Sequence, residues 1–159
     1  IKMWGVGDNI NFYLEGNASM KMELVQMYIN ADSNPNSGYV AWQWPAGSGA
    51  DYFFEGPPIN DSWATLYQHT GANNSWGWAA LSGSIANFKF SSVKSLNATT
   101  NAMEFSVKKS QFGSLGSTLS LSIVELTGGW ADVGDLPKAG ATSAFVTYTL
   151  PVESSGLCE

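Results

Sequence analysis

The sequence predicts an all-β antiparallel sandwich, jelly-roll or immunoglobulin-like, with about eight strands in a single domain. Three observations point there. Short runs alternate apolar with polar residues, as half-buried strands do. Gly, Pro, Asn, Ser and Asp break these runs at short intervals. The 3.6-residue period of an amphipathic helix is nearly absent. At 159 residues the chain is long enough to bury one core without staples.

Taken in order, the first expected strand is 9–15, closed by Gly16 and Asn17. The second, 20–30, ends at a run of Ser, Asn and Pro. The third, 51–55, is closed by Gly56–Pro57–Pro58, and the fourth, 63–69, by Thr70 and Gly71. A hairpin tip at 71–75 leads to a strand near 76–81. Residues 86–92 and 102–107 follow, with Met103, Phe105 and Val107 on one face of the latter and a turn at 97–101. Residues 109–113 read as a single helical turn. In 118–126, Leu119, Leu121, Ile123 and Glu125 share one face; Ser120, Ser122, Val124 and Leu126 share the other, so the alternation weakens towards the end. The last strand is 144–150. Two long loops remain. Residues 33–49 hold two Pro, three Gly and two Trp; residues 128–141 hold Trp130, Asp132 and Asp135. Long loops in compact domains are commonly functional. The domain is expected over 1–152, with 153–159 as a tail that contains Cys158, the only cysteine. The opening Ile1 reads as the start of a mature or excised piece.

Charge narrows the function classes. Charged residues make up 13% of the chain, all seven basic residues are Lys, and the net charge is −6. Phosphate backbones and anionic membranes are repelled, so no nucleic-acid partner is expected. No apolar run approaches the roughly 20 residues of a membrane span. A surface rich in Ser, Thr, Asn and Gly suits an extracellular or cell-surface protein.

The seven tryptophans are the most suggestive side chains. Trp42–Gln43–Trp44 and Trp76–Gly77–Trp78 are i, i+2 pairs, and in an extended segment such pairs point the same way. Each is expected to present two flat rings to the apolar faces of sugars, with Gln43, Asp51 and Asn74 binding hydroxyls. Trp130 is a further candidate, beside Asp132 and Asp135. For any one of these rings, burial in the core is the competing reading. Trp63 and Tyr67 are expected to be core.

Other chemistry is thinly supported. Asn30, Asp32, Asn34 and Asn36 are spaced by two, so Asp32, Asn34 and Asn36 are the candidate ligands for calcium (Ca²⁺), the one candidate cofactor. The competing reading is an Asx-rich turn, and it is favoured. Asp51 and Glu55 lie i, i+4, about 13 Å apart along a strand, too far for a glycosidase pair. His69 is the only histidine, and no nucleophile elbow accompanies it. An enzyme is not expected, with a glycoside hydrolase as the outside alternative.

The run from Tyr28 through Asn30, Asp32, Asn34, Pro35 and Gly38 to Tyr39, followed by Gly49–Ala50–Asp51–Tyr52, resembles a signature of bacterial sandwich domains. Leu66–Tyr67–Gln68–His69–Thr70–Gly71 with Trp76–Gly77–Trp78 resembles their hairpin. Met103–Glu104–Phe105–Ser106–Val107 and Asn9–Ile10–Asn11–Phe12–Tyr13 resemble two of their strands. Together these segments resemble the carbohydrate-binding-module-9-like or DOMON-like group over most of residues 9–149. Such domains occur in surface and glycan-processing proteins of Bacteroidetes-type bacteria. The resemblance implies a sandwich fold, an extracellular or cell-surface location and a polysaccharide or oligosaccharide partner.

The leading expectation is therefore a non-catalytic carbohydrate-binding module with Trp platforms. The alternative is a structural or adhesive module of a bacterial surface protein, with no small ligand and with neighbouring domains as partners.

Overall fold

The computed structural model describes residues 1–17, 19–60, 63–83, 85–94, 99–141 and 145–151. The expected tail, 153–159 with Cys158, lies outside them. So does part of the turn expected at 97–101, of which Thr99–Asn101 are already strand.

Among the described residues the chain forms eleven strands in two antiparallel sheets, which is the predicted sandwich with two strands, at 2–6 and 132–136, that the sequence reading did not place. The four-stranded sheet runs β1 (Lys2–Val6), β2 (Asn9–Gly16), β8 (Thr99–Lys108), β7 (Ile85–Lys94). The seven-stranded sheet runs β10 (Asp132–Leu136), β9 (Thr118–Leu126), β3 (Leu24–Asn30), β4 (Tyr52–Gly56), β5 (Thr65–His69), β6 (Trp78–Ala80). β11 (Val146–Thr149) completes it beside β10, both lying along the same edge of β9. The expected helical turn is a 3-10 turn at Lys109–Phe112 that carries the chain from one sheet to the other.

Period-two patterning fills the space between the sheets. Ile10, Phe12 and Leu14 of β2 and Met103, Phe105 and Val107 of β8 face Val25, Met27 and Ile29 of β3 and Leu119, Leu121 and Ile123 of β9. Three rings bridge the layers: Phe105 stacks on Phe12 at 4.8 Å and on Phe54 of the opposite sheet at 4.3 Å. Glu125, expected on this inward face, is buried there and accepts a hydrogen bond from the Met22 amide at 2.8 Å.

The seven-stranded sheet also has an apolar outer face. Leu24, Tyr28, Phe53, Val124 and Leu126 form a second buried cluster with Ala41, Trp44 and Ala50. Those last three belong to residues 31–50, so the long loop is a cover folded over the sheet. β3 is consequently buried on both faces.

Two expectations change. Residues 128–141 are not one loop, because β10 lies inside them. Its Asp and Gly residues have little β-propensity, and pairing to β9 supplies the extended conformation. A bulge at Val133 lets Asp132 pair with Leu126 and Asp135 with Val124. Three residues apart, these two would otherwise point to opposite faces; the extra residue sets both on the outer face. The strand expected over 20–30 begins only at Leu24.

Phe105 carries the contact between layers, so Phe105→Ala should destabilise the fold by about 3–5 kcal/mol. Urea unfolding should show a lower midpoint with an unchanged m-value.

Candidate binding cleft

The cover is pinned at its ends. Asp51 Oδ2 accepts the amides of Ala31 at 2.8 Å and Asp32 at 3.1 Å, tying the loop's exit to its entry. Tyr39 and Ala50 exchange two backbone hydrogen bonds of 2.8 Å. Gly38 allows this approach: its φ is +69°, and a Cβ there would lie 2.4 Å from the Ala50 carbonyl oxygen. Asp51 thus tethers the two ends of the cover.

The expected pairing of Trp42 with Trp44 does not occur. The Trp44 amide donates to the Ala41 carbonyl at 2.9 Å, so 41–44 is a turn and the rule for extended chain fails. Trp44 is wholly buried in the outer cluster, and its indole N–H donates to the Pro137 carbonyl at 2.8 Å. Trp42 points away and is 70% exposed.

The second pair also divides. Trp78, in β6, is half-buried against Phe53, Tyr39 and His69. Trp76 is 61% exposed, and its ring stands 74° from that of Trp78. Edge contacts to Tyr39 at 5.3 Å and Phe53 at 5.7 Å hold the Trp76 ring in place. His69 Nε2 lies 2.9 Å from the Ser75 carbonyl, so this histidine is satisfied inside the hairpin.

Trp130 is 60% exposed at the β9–β10 turn. Its φ of +68° is uncommon for a bulky side chain. The turn enforces it: the Trp130 amide donates to the Thr127 carbonyl at 2.9 Å, and the Thr127 amide to the Ala131 carbonyl at 2.8 Å.

Trp42, Trp76 and Trp130 therefore come from three separate connections, yet they line one cleft of about 400 Å³ over the outer sheet face. Tyr39 and Gln43 complete the walls; Gln26, Tyr28, Leu126 and Asp132 form the floor. Of the residues expected to bind, the cleft gathers Trp42, Trp76, Trp130 and Gln43, and leaves out Trp44, Trp78, Asp51 and Asn74. Asn74 sits in the 71–75 turn with φ +66°. Trp63, expected in the core, is 41% exposed and outside the cleft.

The floor was missed from sequence, although a signal existed. Leu24, Gln26 and Tyr28 alternate with Val25, Met27 and Ile29, which places an amide and a phenol on one strand face. The Tyr28 hydroxyl donates to Gln26 Oε1 at 3.2 Å, and Gln26 Nε2 donates to Glu55 at 2.7 Å. Burial raises the Tyr28 phenol well above its ordinary range. Burial also raises the Glu55 carboxyl, against the lowering effect of the Gln26 amide. Asp135 is raised by burial and by the charge of Asp132, and Asp51 by burial.

The oxygens offered to calcium are turned onto their own loop. Asp32 accepts from the Asn34 amide at 2.7 Å and from Ser37 Oγ at 2.9 Å, and Asn34 Oδ1 accepts from the Asn36 amide at 3.1 Å. These are successive Asx turns. Among the described residues no three of His, Cys, Asp and Glu gather as a metal site.

No protein-family model, curated protein or solved structure matches the chain.

The raised carboxyls have a measurable consequence. The native state holds protons on Glu55, Asp51 and Asp135 more tightly than the unfolded chain does. From these groups, stability is greatest below the ordinary carboxylate range and falls as pH rises through the native pKa values. Glu55→Gln keeps an acceptor for Gln26 and should flatten part of that fall, as read from urea midpoints across pH.

Proposed function

We propose that this protein is a non-catalytic carbohydrate-binding module whose ligand lies in the cleft bounded by Trp42, Trp76 and Trp130. One observation carries the reading: three large indoles, each at least 60% exposed, converge from independent connections on one cleft. Exposing a single large apolar ring is ordinary, but grouping three around a concavity is the pattern of a binding surface. Flat indole faces stack on the apolar faces of sugar rings, and the amide and carboxylate of Gln43 and Asp132 accept from hydroxyls.

The backbone at Trp130 adds support. Holding a bulky residue at positive φ costs about 1–3 kcal/mol, and here that strained position carries an exposed ring into the cleft. The sequence resemblance to carbohydrate-binding-module-9-like sandwiches agrees with the reading. The alternative, a structural or adhesive module, is favoured by Trp44 and Trp78, whose rings are packed into the fold.

Affinity electrophoresis in soluble polysaccharides, preceded by a glycan screen, tests the proposal. Trp42→Ala and Trp76→Ala should each weaken retardation severely while stability stays within about 0.5 kcal/mol of wild type for the unpacked Trp42. Trp63→Ala, outside the cleft, serves as the control and should bind normally. Trp44→Ala should instead destabilise the protein by about 3–5 kcal/mol. A folded protein that no glycan retards would overturn the proposal in favour of the adhesive alternative.

Trp130→Gly separates the ring from its backbone. It should weaken binding yet leave stability unchanged or raised by up to about 1 kcal/mol, because Gly adopts positive φ without strain. Thermal unfolding and the same gels read both effects.

A further inference from the structure

The cleft has an electrostatic character that deepens the carbohydrate reading, on which this inference rests. Four of the seven lysines, Lys2, Lys89, Lys94 and Lys108, belong to strands of the four-stranded sheet. No strand of the seven-stranded sheet contains a lysine, and none lines the cleft. The outer face of that sheet instead carries carboxylates. Asp132 and Asp135 are both set there by the bulge in β10, and Glu55 pairs with Gln26 on the same face.

Asp132 is the one charged residue among the described residues lining the cleft, and Gln43 adds a buried acceptor without a partner among them. The Tyr28 hydroxyl and Gln26 Oε1 already satisfy each other. The Asp132 carboxylate accepts no hydrogen bond from any described side chain or backbone amide, and it lines the floor in an exposed position. Gln43 is only 5% exposed, and its Oε1 has no hydrogen-bond partner among the described residues. An unmet buried acceptor is destabilising, and the last torsion of a glutamine is soft enough to turn that oxygen towards a donor in the cleft.

A carboxylate with no cation among the described lining residues, walled by indoles, selects its ligand. A carboxylated or sulfated sugar brings only more acceptors and negative charge. A neutral hydroxyl donates one hydrogen. An ammonium group donates three, carries a positive charge towards Asp132, and is attracted to the face of an indole. We infer that this cleft takes glycans whose units carry protonated amino groups, polymers of 2-amino-2-deoxyhexose. Asp132 sets the preference, and Gln43 Oε1 is the second acceptor.

Titration calorimetry on the whole chain, in mildly acidic low-salt buffer, tests this. The ligands are a glucosamine oligosaccharide, its fully N-acetylated counterpart, a neutral glucose oligosaccharide and an oligogalacturonate of equal length. The glucosamine ligand should bind tightest and the galacturonate weakest. The glucosamine preference over the neutral ligands should shrink with added salt and fall by about threefold in Asp132→Asn, the size of one exposed ion pair. Equal binding of charged and neutral ligands, without salt dependence, would overturn this inference and leave the carbohydrate-binding proposal standing. Tightest binding of the galacturonate would overturn it as well. If no oligosaccharide binds, the carbohydrate reading fails and this inference falls with it.

Discussion

The cover and the cleft of this protein both follow from one packing constraint: the seven-stranded sheet carries a buried apolar cluster on each face. Its inner face meets the other sheet through the Phe12–Phe105–Phe54 stack. Its outer face, with Tyr28, Phe53, Val124 and Leu126, has no second sheet to meet. Burial of that apolar area is a large favourable term, so the chain has to supply a lid from its own connections. Residues 31–50 supply it, and Trp44 is the side chain that fixes them to the sheet, through the buried cluster and the Pro137 carbonyl.

The cleft is what that lid leaves uncovered. Where residues 31–50 stop, Leu126, Tyr28 and Gln26 remain as a floor, and the neighbouring turns raise Trp76 and Trp130 beside Trp42. Cleft and cover are thus one structure, in which the more buried member of each tryptophan pair positions the exposed one. Trp44 holds the segment that carries Trp42; Trp78 and Tyr39 brace the ring of Trp76. The rigid scaffold places the rings, and the connections bear them.

The fold class was legible because period-two alternation and turn residues are local signals. β3, β4, β8 and β9 could be read to within a few residues. β10 could not, because Asp132, Gly134 and Asp135 give no strand signal of their own and the strand exists through its partner. The site was half legible. Trp42, Trp76, Trp130 and Gln43 were visible as residue types, but their convergence depends on three connections meeting in space, which spacing does not encode. Trp44 was misread because an alternation rule was carried into a segment whose backbone turns. The Asp32–Asn34–Asn36 row shows the same limit: identical spacing serves a cation or a chain of Asx turns, and the turns seen here are not encoded in the spacing.

The end-to-end arrangement of β10 and β11 along one edge of β9 has a consequence for how these molecules behave in a crowd. A long straight edge strand offers unpaired amides and carbonyls to any neighbouring chain and invites runaway sheet extension. Here that edge is divided between a five-residue strand with a bulge and a four-residue strand. The opposite edge is β6, three residues long, which begins at Trp78 directly after the hairpin turn. Neither border gives an incoming strand enough consecutive partners to nucleate on, so the sheet that carries the cleft is protected from polymerising through its own backbone.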